Sequence, residues 1–307
     1  MTTVVCEQQQ PSGAGRPVTQ RLVHKSDAAE VLLTRWSRTA PDSFRVAACW
    51  PGDHPFYTAE SGAYQPLLVS ETIRQLFPLL CHAGYEVPDG HHLVWEEYGV
   101  DLAPETLRPG PALPELRVTC SDIARRRTHV AAMTMDVDLV RDGAVRARAR
   151  SRFTIQAPAV YDRLRGDRTD TERAMAAAIP PPAPAPAEAV GRDRTEDVVL
   201  SPTERPDRWQ LRVDTRHPKY FDHAVDHVPG MLLIEAARQA AQAVRHPAPV
   251  LPAGMETAFR RYVEFDAPCW IEAQPVEGDA DAVRVVARQD DEVRFTADVR
   301  TVRTQAC

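Results

Sequence analysis

Apolar and polar residues alternate along several stretches of the chain, which is the pattern of β-strands that bury one face. Met133, Met135, Val137 and Leu139 form one such row, and a turn at residues 141–143 leads into the next. The predicted strands lie near residues 44–48, 133–139 and 145–150 in the first half of the chain, and near 209–213, 283–285 and 293–299 in the second half. Because polar turns join the strands in both halves, we expect two antiparallel sheets.

Each half also contains an apolar helix between its first strand and its long strands. The second helix, over residues 230–245, is apolar around most of its circumference, as in a helix that a sheet wraps. Its polar residues fall at i, i+3, i+4 and i+7 and form one stripe: Glu235, Arg238, Gln239 and Gln242. The stripe is either a solvated face with an ion pair or a carboxylate and an anion-binding guanidinium in a cleft.

The chain repeats itself around these helices. HPFYTAESGAYQPLLVSETIRQ at residues 54–75 aligns with HPKYFDHAVDHVPGMLLIEAARQ at residues 217–239. The copies share His-Pro-x-Tyr, a proline, Leu-Leu and Glu-x-x-Arg-Gln, so Glu71, Arg74 and Gln75 repeat the polar stripe of the second helix. A solvated face would not need the same polar residues twice, so the repeat favours a functional role.

The residues before each helix carry further candidate chemistry. His54 and His217 each precede a proline, at nearly equal distance from the glutamate of their copy. Gly230 and Met231 begin the second helix, where free backbone N–H groups attract a carbonyl oxygen that develops negative charge. The alternative is an ordinary helix start without a catalytic role, since a proline such as Pro229 is common in the first turn of a helix.

A metal site is a further possibility in the second copy. His223 and His227 stand close to Asp222 and Asp226, and such residues are potential metal ligands. No CxxC or HExxH spacing supports this interpretation, so we predict no metal.

The length of 307 residues favours about two domains. A segment containing PPPAPAPAEAVGRDRTE cannot bury a core and reads as a semi-extended linker. The predicted organisation is a disordered tail at residues 1–20, a first repeat at 21–156, a Pro/Ala-rich linker at 157–196 and a second repeat at 197–307.

Composition and charge exclude several classes of protein. The net charge of −6 argues against a general nucleic-acid binder. No stretch approaches the roughly 18 apolar residues of a membrane span, and the N-terminus does not have the pattern of a signal peptide. Six scattered cysteines indicate neither a zinc site nor a disulfide framework. We therefore expect a cytoplasmic protein that binds neither nucleic acid nor membrane.

Residues 217–239 resemble the hotdog dehydratases of fatty-acid synthesis, whose pattern is His-Phe-Pro, then Pro-Gly-x-Leu-x-x-Glu, then Ala-Gln. They are more similar to the γ-butyrolactone (A-factor, AfsA-type) biosynthesis family, whose members carry two such repeats. The second-repeat signature of that family stands nearly verbatim at 217–239, and the first-repeat signature, Pro-Leu-Leu-Val followed by Glu-x-Ile-Arg-Gln, stands at 66–75.

The resemblance implies an α+β double hotdog fold, in which each repeat wraps an antiparallel sheet around a central helix. It implies an acyltransferase, without a cofactor, that moves a β-ketoacyl group from an acyl carrier protein to the hydroxyl of dihydroxyacetone phosphate. The product leads to a γ-butyrolactone-type signalling molecule. The chain would be a monomeric pseudo-dimer of its repeats or a higher homo-oligomer.

On this interpretation Glu235 is the general base, Arg238 binds phosphate or orients Glu235, and His217 orients the substrate. The expected catalytic residues are Glu235, Arg238, His217, Glu71, Arg74 and His54, and the expected substrate-binding residues are Gly230, Met231, Gln239 and Gln75. In related dimers the histidine of one copy faces the carboxylate of the other, which would pair His54 with Glu235 and His217 with Glu71. The first copy departs from the pattern, with Gln65 in place of a histidine and Leu67 in place of the glycine.

Two alternatives remain open at this point. One is a hotdog dehydratase or thioesterase that acts on acyl carrier thioesters, although dehydratases lack an arginine at the position of Arg238. The other is a non-enzymatic regulator that binds a lactone or an acyl chain, against which the glutamate retained in both copies argues. Two groups of arginines could dock a carrier protein. One is the pair Arg260 and Arg261, and the other is the stripe formed by Arg146, Arg148 and Arg150.

Overall fold

The structure is a computed structural model that describes residues 15–127 and 129–303. The expected tail at residues 1–20 lies largely outside these ranges. The chain divides into two compact units, Met1–Tyr161 and Asp162–Cys307. Each unit consists of an antiparallel sheet and one long buried helix, as the resemblance implied.

The first unit forms its sheet from seven strands in the order β1-β2-β3-β5-β6-β7-β4, and every neighbouring pair is antiparallel. Its strands are β1 (Arg16–Pro17), β2 (Leu33–Ala40), β3 (Ser43–Ala48), β4 (His92–Leu102), β5 (Glu115–Arg126), β6 (His129–Arg141) and β7 (Ala144–Gln156). Met133, Met135, Val137 and Leu139 of β6 are all buried, as their alternation predicted. Helix α1 (Leu67–Leu79) has twelve buried residues, so apolar packing surrounds it.

The second unit repeats this sheet without the short first strand, in the order β8-β9-β11-β12-β13-β10. Its strands are β8 (Leu200–Pro202), β9 (Arg208–Leu211), β10 (Val250–Phe259), β11 (Trp270–Val276), β12 (Asp279–Gln289) and β13 (Glu292–Arg303). Strand β9 ends two residues before its predicted end. The equal strand order confirms the repeat, with β2 matching β8, β5 matching β11 and β6 matching β12.

The long helix of the second unit follows a loop that brings Pro229 to its start. Helix α4 (Gly230–Arg245) buries twelve consecutive residues, from Met231 to Gln242. This burial includes its polar stripe, because Glu235 and Gln239 are 0% exposed. The stripe is therefore not a solvated face, and each of its polar groups requires a partner inside the protein.

The segment at 157–196 differs from the semi-extended linker that its composition predicted. It contains two short helices, α2 (Pro158–Arg165) and α3 (Thr171–Ala176), and buries five side chains of its own: Tyr161, Arg165, Ala185, Val190 and Arg192. Proline-rich composition limits regular structure but does not prevent single side chains from packing. Two of these buried residues are arginines, and both have carboxylate partners in the second unit.

Four cysteines lie within the described residues, and they are not all free thiols. Cys81, Cys120 and Cys269 are buried free thiols, whereas Cys49 is disulfide-bonded, a pairing that the spacing did not indicate. Within residues 15–127 and 129–303, no helix has the length and apolar character needed to cross a membrane.

Candidate active site

The glutamine of each polar stripe fastens the central helix to the chain directly before β2 in the first unit and directly before β8 in the second. Gln239 accepts from the backbone N–H of Val199 at 2.9 Å and donates to the backbone oxygen of Asp197 at 2.9 Å. In the first unit, Gln75 accepts from Leu32 at 2.9 Å and donates to Glu30 at 2.8 Å in the same way. The two glutamines therefore hold equivalent backbone segments.

Glu235 lies at the centre of a buried ion cluster. Arg238 donates to Oε2 through Nε at 3.0 Å and to Oε1 through Nη2 at 2.6 Å. Arg192 approaches the same Oε1 with Nε at 2.8 Å and Nη2 at 2.7 Å, and Gln239 donates to it at 2.7 Å. One carboxylate thus lies between two guanidinium groups.

Glu71 has the same surroundings in the first unit. Arg74 donates to both of its oxygens at 2.8 Å, and Gln75 donates at 3.0 Å. The place of Arg192 is taken by Lys25, whose Nζ lies 3.1 Å from Oε1 of Glu71. Lys25 is itself buried, so the second cation is part of the interior in both copies.

These charges determine the ionisation of the two glutamates. Burial alone would raise the pKa of Glu235, but the guanidinium groups of Arg192 and Arg238 outweigh it and lower the pKa to about 2. The same competition, with Arg74 and Lys25 as the cations, lowers the pKa of Glu71 to about 2. Both side chains are carboxylates at neutral pH, and the low pKa makes each a weak proton acceptor.

The two predicted histidines also have equivalent partners. His54 contacts Glu30 through Nε2 at 3.3 Å, and His217 contacts Asp197 at 3.2 Å. The Nδ1 atom accepts from the backbone two residues later in each copy, at 3.1 Å for His54 and 3.3 Å for His217. A tyrosine ring also lies 4.6 Å from each histidine ring, Tyr57 in one copy and Tyr220 in the other.

The geometry changes the roles that the predicted residues can play. Glu235 is fully buried and accepts from three side chains, which favours a positioning role over the predicted general base. Arg238 directs its guanidinium to Glu235 and to the backbone oxygen of Val190, so of its two predicted roles the geometry favours orientation of Glu235 over phosphate binding. The pairings of His54 with Glu235 and of His217 with Glu71 stay predictions.

Sequence reasoning missed four residues of these networks, Lys25, Glu30, Arg192 and Asp197. Their signal was a second, weaker repeat: LVHKSDAAEVLL at 22–33 aligns with AVGRDRTEDVVL at 189–200. The backbone repeats as well, since His24 and Gly191 both adopt a left-handed conformation, with φ of 53° and 66°. At Gly191 an added Cβ would lie 3.2 Å from Gln242 and 3.3 Å from Arg238, so glycine permits the close approach to α4.

A further cluster adjoins the start of α4, and the described residues of the first copy show no counterpart of it. Arg165 pairs with Asp226 at 3.0 Å and with Glu264 at 2.6 Å. Asp226 in turn contacts Nδ1 of His227 at 2.7 Å. Gly230 and Met231 follow His227 by three and four residues, at the start of α4, where the first backbone N–H groups have no acceptor within the helix.

The structure also contains a cavity of about 240 Å³ in the second unit. Asp226, Glu264 and Phe265 line one part of it, and α3 lines another. Its carboxylates outnumber its two arginines, Arg168 and Arg173, so it does not have the charge of a phosphate site. None of the predicted site residues lines it.

The loop before α4 carries His223 and His227, the two histidines that the sequence offered as metal ligands. In the part of the chain that the structure describes, no group of three or more histidine, cysteine, aspartate or glutamate side chains is arranged to hold a metal ion. His223 and His227 instead each contact the aspartate that directly precedes them.

The chain matches a known domain twice. Each match includes one central helix with its Glu-x-x-Arg-Gln stripe. The A-factor biosynthesis hotdog domain (AfsA) matches residues 6–157 and residues 174–305. The chain belongs to this family. Both polar stripes and both segments that contact them fall inside the two matches.

Relatives with assigned names cover nearly the whole chain. A protein of Streptomyces virginiae named 2-oxo-3-(phosphooxy)propyl 3-oxoalkanoate synthase is 47% identical over 290 residues, which is 92% of this chain and 97% of that protein. A protein of the same name from Streptomyces coelicolor is 41% identical over 286 residues, which covers 91% of this chain and 90% of that protein.

Among solved structures, a protein assigned as an oleoyl thioesterase from Lactobacillus plantarum is similar in fold. It has a TM-score of 0.50 and 12% identity, and the match covers 86% of this chain and 97% of that chain. At this identity the likeness supports the fold alone.

Proposed function

We propose that this chain transfers a β-ketoacyl group from an acyl thioester to the hydroxyl of dihydroxyacetone phosphate. The observation that carries the proposal is the near full-length identity of 47% to a protein named for the resulting ester, a 3-oxoalkanoate of a phosphorylated hydroxyketone. The AfsA matches across both repeats support the same activity and its place in the synthesis of a γ-butyrolactone-type signal. The reaction takes place in the cytoplasm.

In this reaction the hydroxyl oxygen bonds to the thioester carbonyl carbon, and the carbon–sulfur bond breaks to release a thiol. Negative charge develops on the carbonyl oxygen during the attack, and donors placed in advance stabilise it. The N–H groups of Gly230 and Met231 are our candidates for this task, because they lie at the start of α4. The helix dipole adds partial positive charge at that end. The small side chain of Gly230 lets a thioester approach the backbone closely.

The two buried glutamate clusters act as positioning groups for this site. Glu235, Arg238 and Gln239 fasten α4 to the segment that carries Asp197, and Asp197 contacts His217. The corresponding residues Glu71, Arg74, Gln75 and His54 hold α1 in the same way. On this proposal they keep each helix start and its preceding loop in a fixed relation, rather than contact the reacting atoms.

An acyl carrier protein is the proposed thioester donor, and such carriers are acidic, so a cationic surface should dock it. Two arginines of the β7 stripe already have partners, since Arg148 lies 3.4 Å from Asp138 and Arg150 lies 2.7 Å from Asp136. Arg261 is likewise paired, with Glu292 at 3.4 Å.

The tip of the β5–β6 hairpin is a better candidate for the docking surface. Arg125, Arg126 and Arg127 are exposed there, and the ion pairs found within the described residues do not include them. The matching β11–β12 hairpin of the second unit carries Glu277 and Asp279 at its tip instead. An acidic partner would therefore bind the basic hairpin of the first unit and not the acidic hairpin of the second.

A direct assay tests the proposed function. The purified chain is incubated with a β-ketoacyl carrier thioester and dihydroxyacetone phosphate, and the products are followed by mass spectrometry. The phosphorylated ester should form together with the free carrier thiol. Release of the free β-keto acid at the same rate with and without the acceptor would indicate a thioesterase instead.

A further inference from the structure

A chain of contacts leads from the interior of the second unit to His227. Arg165 donates to Oδ2 of Asp226 through Nε at 3.0 Å and to its backbone oxygen through Nη2 at 3.0 Å. The same guanidinium binds both oxygens of Glu264, at 2.6 and 3.0 Å. Asp226 is buried, so these bonds fix the orientation of its carboxylate. Its other oxygen, Oδ1, lies 2.7 Å from Nδ1 of His227.

This contact determines the tautomer of the imidazole. A carboxylate only accepts hydrogen bonds, so Nδ1 of His227 carries the hydrogen and Nε2 of the neutral ring carries the lone pair. Tyr262 packs edge-on against the ring, with centroids 4.6 Å apart, and Arg165 lies 4.3 Å from the centroid of Tyr262. The orientation of the ring is therefore held from two sides.

Accessibility separates His227 from the other acid–base candidates of this unit. Its side chain is 29% exposed, compared with 10% for His217 and 0% for Glu235. His223 is more exposed, at 56%, and pairs with the adjacent Asp222. Of these groups, His227 combines partial exposure with an orienting carboxylate that a buried guanidinium holds in turn.

The two repeats differ at this point, although their buried networks agree. Before α1 the first copy reads Ser61-Gly62-Ala63-Tyr64-Gln65-Pro66, where the second copy has Asp226 and His227 shortly before Pro229. The shared networks are thus explained by the folding of each repeat. The Asp226–His227 pair is not part of the network that the two repeats share, since the first repeat has the same strand order without it.

We propose that His227 is the catalytic base of the acyl transfer, with Asp226 and Arg165 as positioning residues. The inference rests on the proposed function. As the acceptor oxygen bonds to the thioester carbon, Nε2 of His227 takes the hydroxyl proton. When the carbon–sulfur bond breaks, the same nitrogen returns this proton to the thiolate. The products are the ester and the carrier thiol, and no further reactant is needed.

Chemical rescue tests this assignment. His227→Ala should lower kcat by about 10²-fold or more, the usual scale for general acid–base catalysis. Free imidazole should restore part of the lost rate, because it can occupy the space of the deleted ring. Asp226→Asn should lower kcat without responding to imidazole, and His223→Ala is the matched control, with kcat close to that of the unchanged protein. Thermal unfolding of each variant shows whether it has folded.

The outcomes separate this inference from the proposed function. Ester formation by the unchanged protein, with a large and imidazole-sensitive loss only in His227→Ala, supports the assignment. If folded His227→Ala forms the ester at the normal rate, or if imidazole rescues His223→Ala instead, His227 is not the base although the transfer stands. If the unchanged protein forms no ester, the proposed function itself fails.

Discussion

The Nη2 atom of Arg192 lies 2.7 Å from Oε1 of Glu235, although 43 residues separate them along the chain. Both side chains are almost completely buried, so water cannot replace the contact. In the other repeat Lys25 makes the corresponding contact with Glu71 at 3.1 Å. The repeated ion pair joins the central helix of each unit to the segment that leads into β2 or β8.

Removal of Arg192 should therefore destabilise the protein. Arg192→Met leaves Glu235 with one cation fewer in a dry interior, and loss of one partner of a buried pair costs about 3 kcal/mol or more. Arg192→Lys should lose less, because lysine fills this place in the first repeat. Urea unfolding measures the change in the free energy of unfolding.

Arg194→Met serves as the control, because Arg194 pairs with Glu196 at the surface and an exposed pair contributes less than about 1 kcal/mol. Equal losses in Arg192→Met and Arg194→Met would contradict the importance of the buried pair.

Stability should fall in acid because of the two buried glutamates. Their pKa is about 2 in the folded protein, below the ordinary value of 4.5. A lowered pKa contributes stability that is complete above pH 4.5 and is lost as the pH falls from there towards 2. Urea midpoints measured between pH 7 and pH 2 give this dependence.

Glu235→Gln supplies the comparison for the acid dependence. The variant should be less stable at pH 7, because Arg192 and Arg238 stay buried without their counter-charge. Its stability should also depend less steeply on pH below 4.5, since one of the two glutamates no longer titrates. A slope equal to that of the unchanged protein would show that Glu235 does not carry this dependence.

Arg238→Ala should affect both substrates alike. Its guanidinium donates to Glu235 and to Val190, so its removal loosens α4 rather than a phosphate site. We expect a loss of stability and parallel changes in KM for the thioester and for the phosphate acceptor. If KM rises for the phosphate acceptor alone, Arg238 binds the phosphate, as the sequence suggested.

Charge reversal at the β5–β6 hairpin should weaken binding of the carrier thioester. Replacement of Arg125, Arg126 and Arg127 by glutamate should raise KM for the carrier thioester by about 10-fold, because like charges repel an acidic partner. KM for the same acyl group on coenzyme A should stay unchanged, which shows that the active site is intact. High salt should reduce the difference between the variant and the unchanged protein.

The earlier docking candidates provide the contrast. Reversal of Arg148 and Arg150 breaks ion pairs with Asp138 and Asp136 but should leave KM for the carrier thioester near its normal value. If this reversal, and not the hairpin reversal, raises KM, the carrier docks on β7.

The sequence by itself determined the architecture of this protein. Alternation at two-residue spacing predicted the strands, because a half-buried strand exposes every second side chain. The internal repeat predicted two similar units and brought out Glu71, Arg74, Glu235 and Arg238 as unusual. Helical spacing placed each glutamate and arginine on one face, where the structure shows them bonded to each other.

Only the tertiary structure decided what lies opposite that face. Periodicity reports which residues share a side of a helix, but not which distant segment covers them. Arg192 comes from a segment whose composition predicted a linker, and Arg165 reaches Glu264 across 99 residues of sequence. Because such contacts depend on the path of the folded chain, periodicity could not show that Glu235 lies buried between two arginines or that the His227 ring is partly exposed.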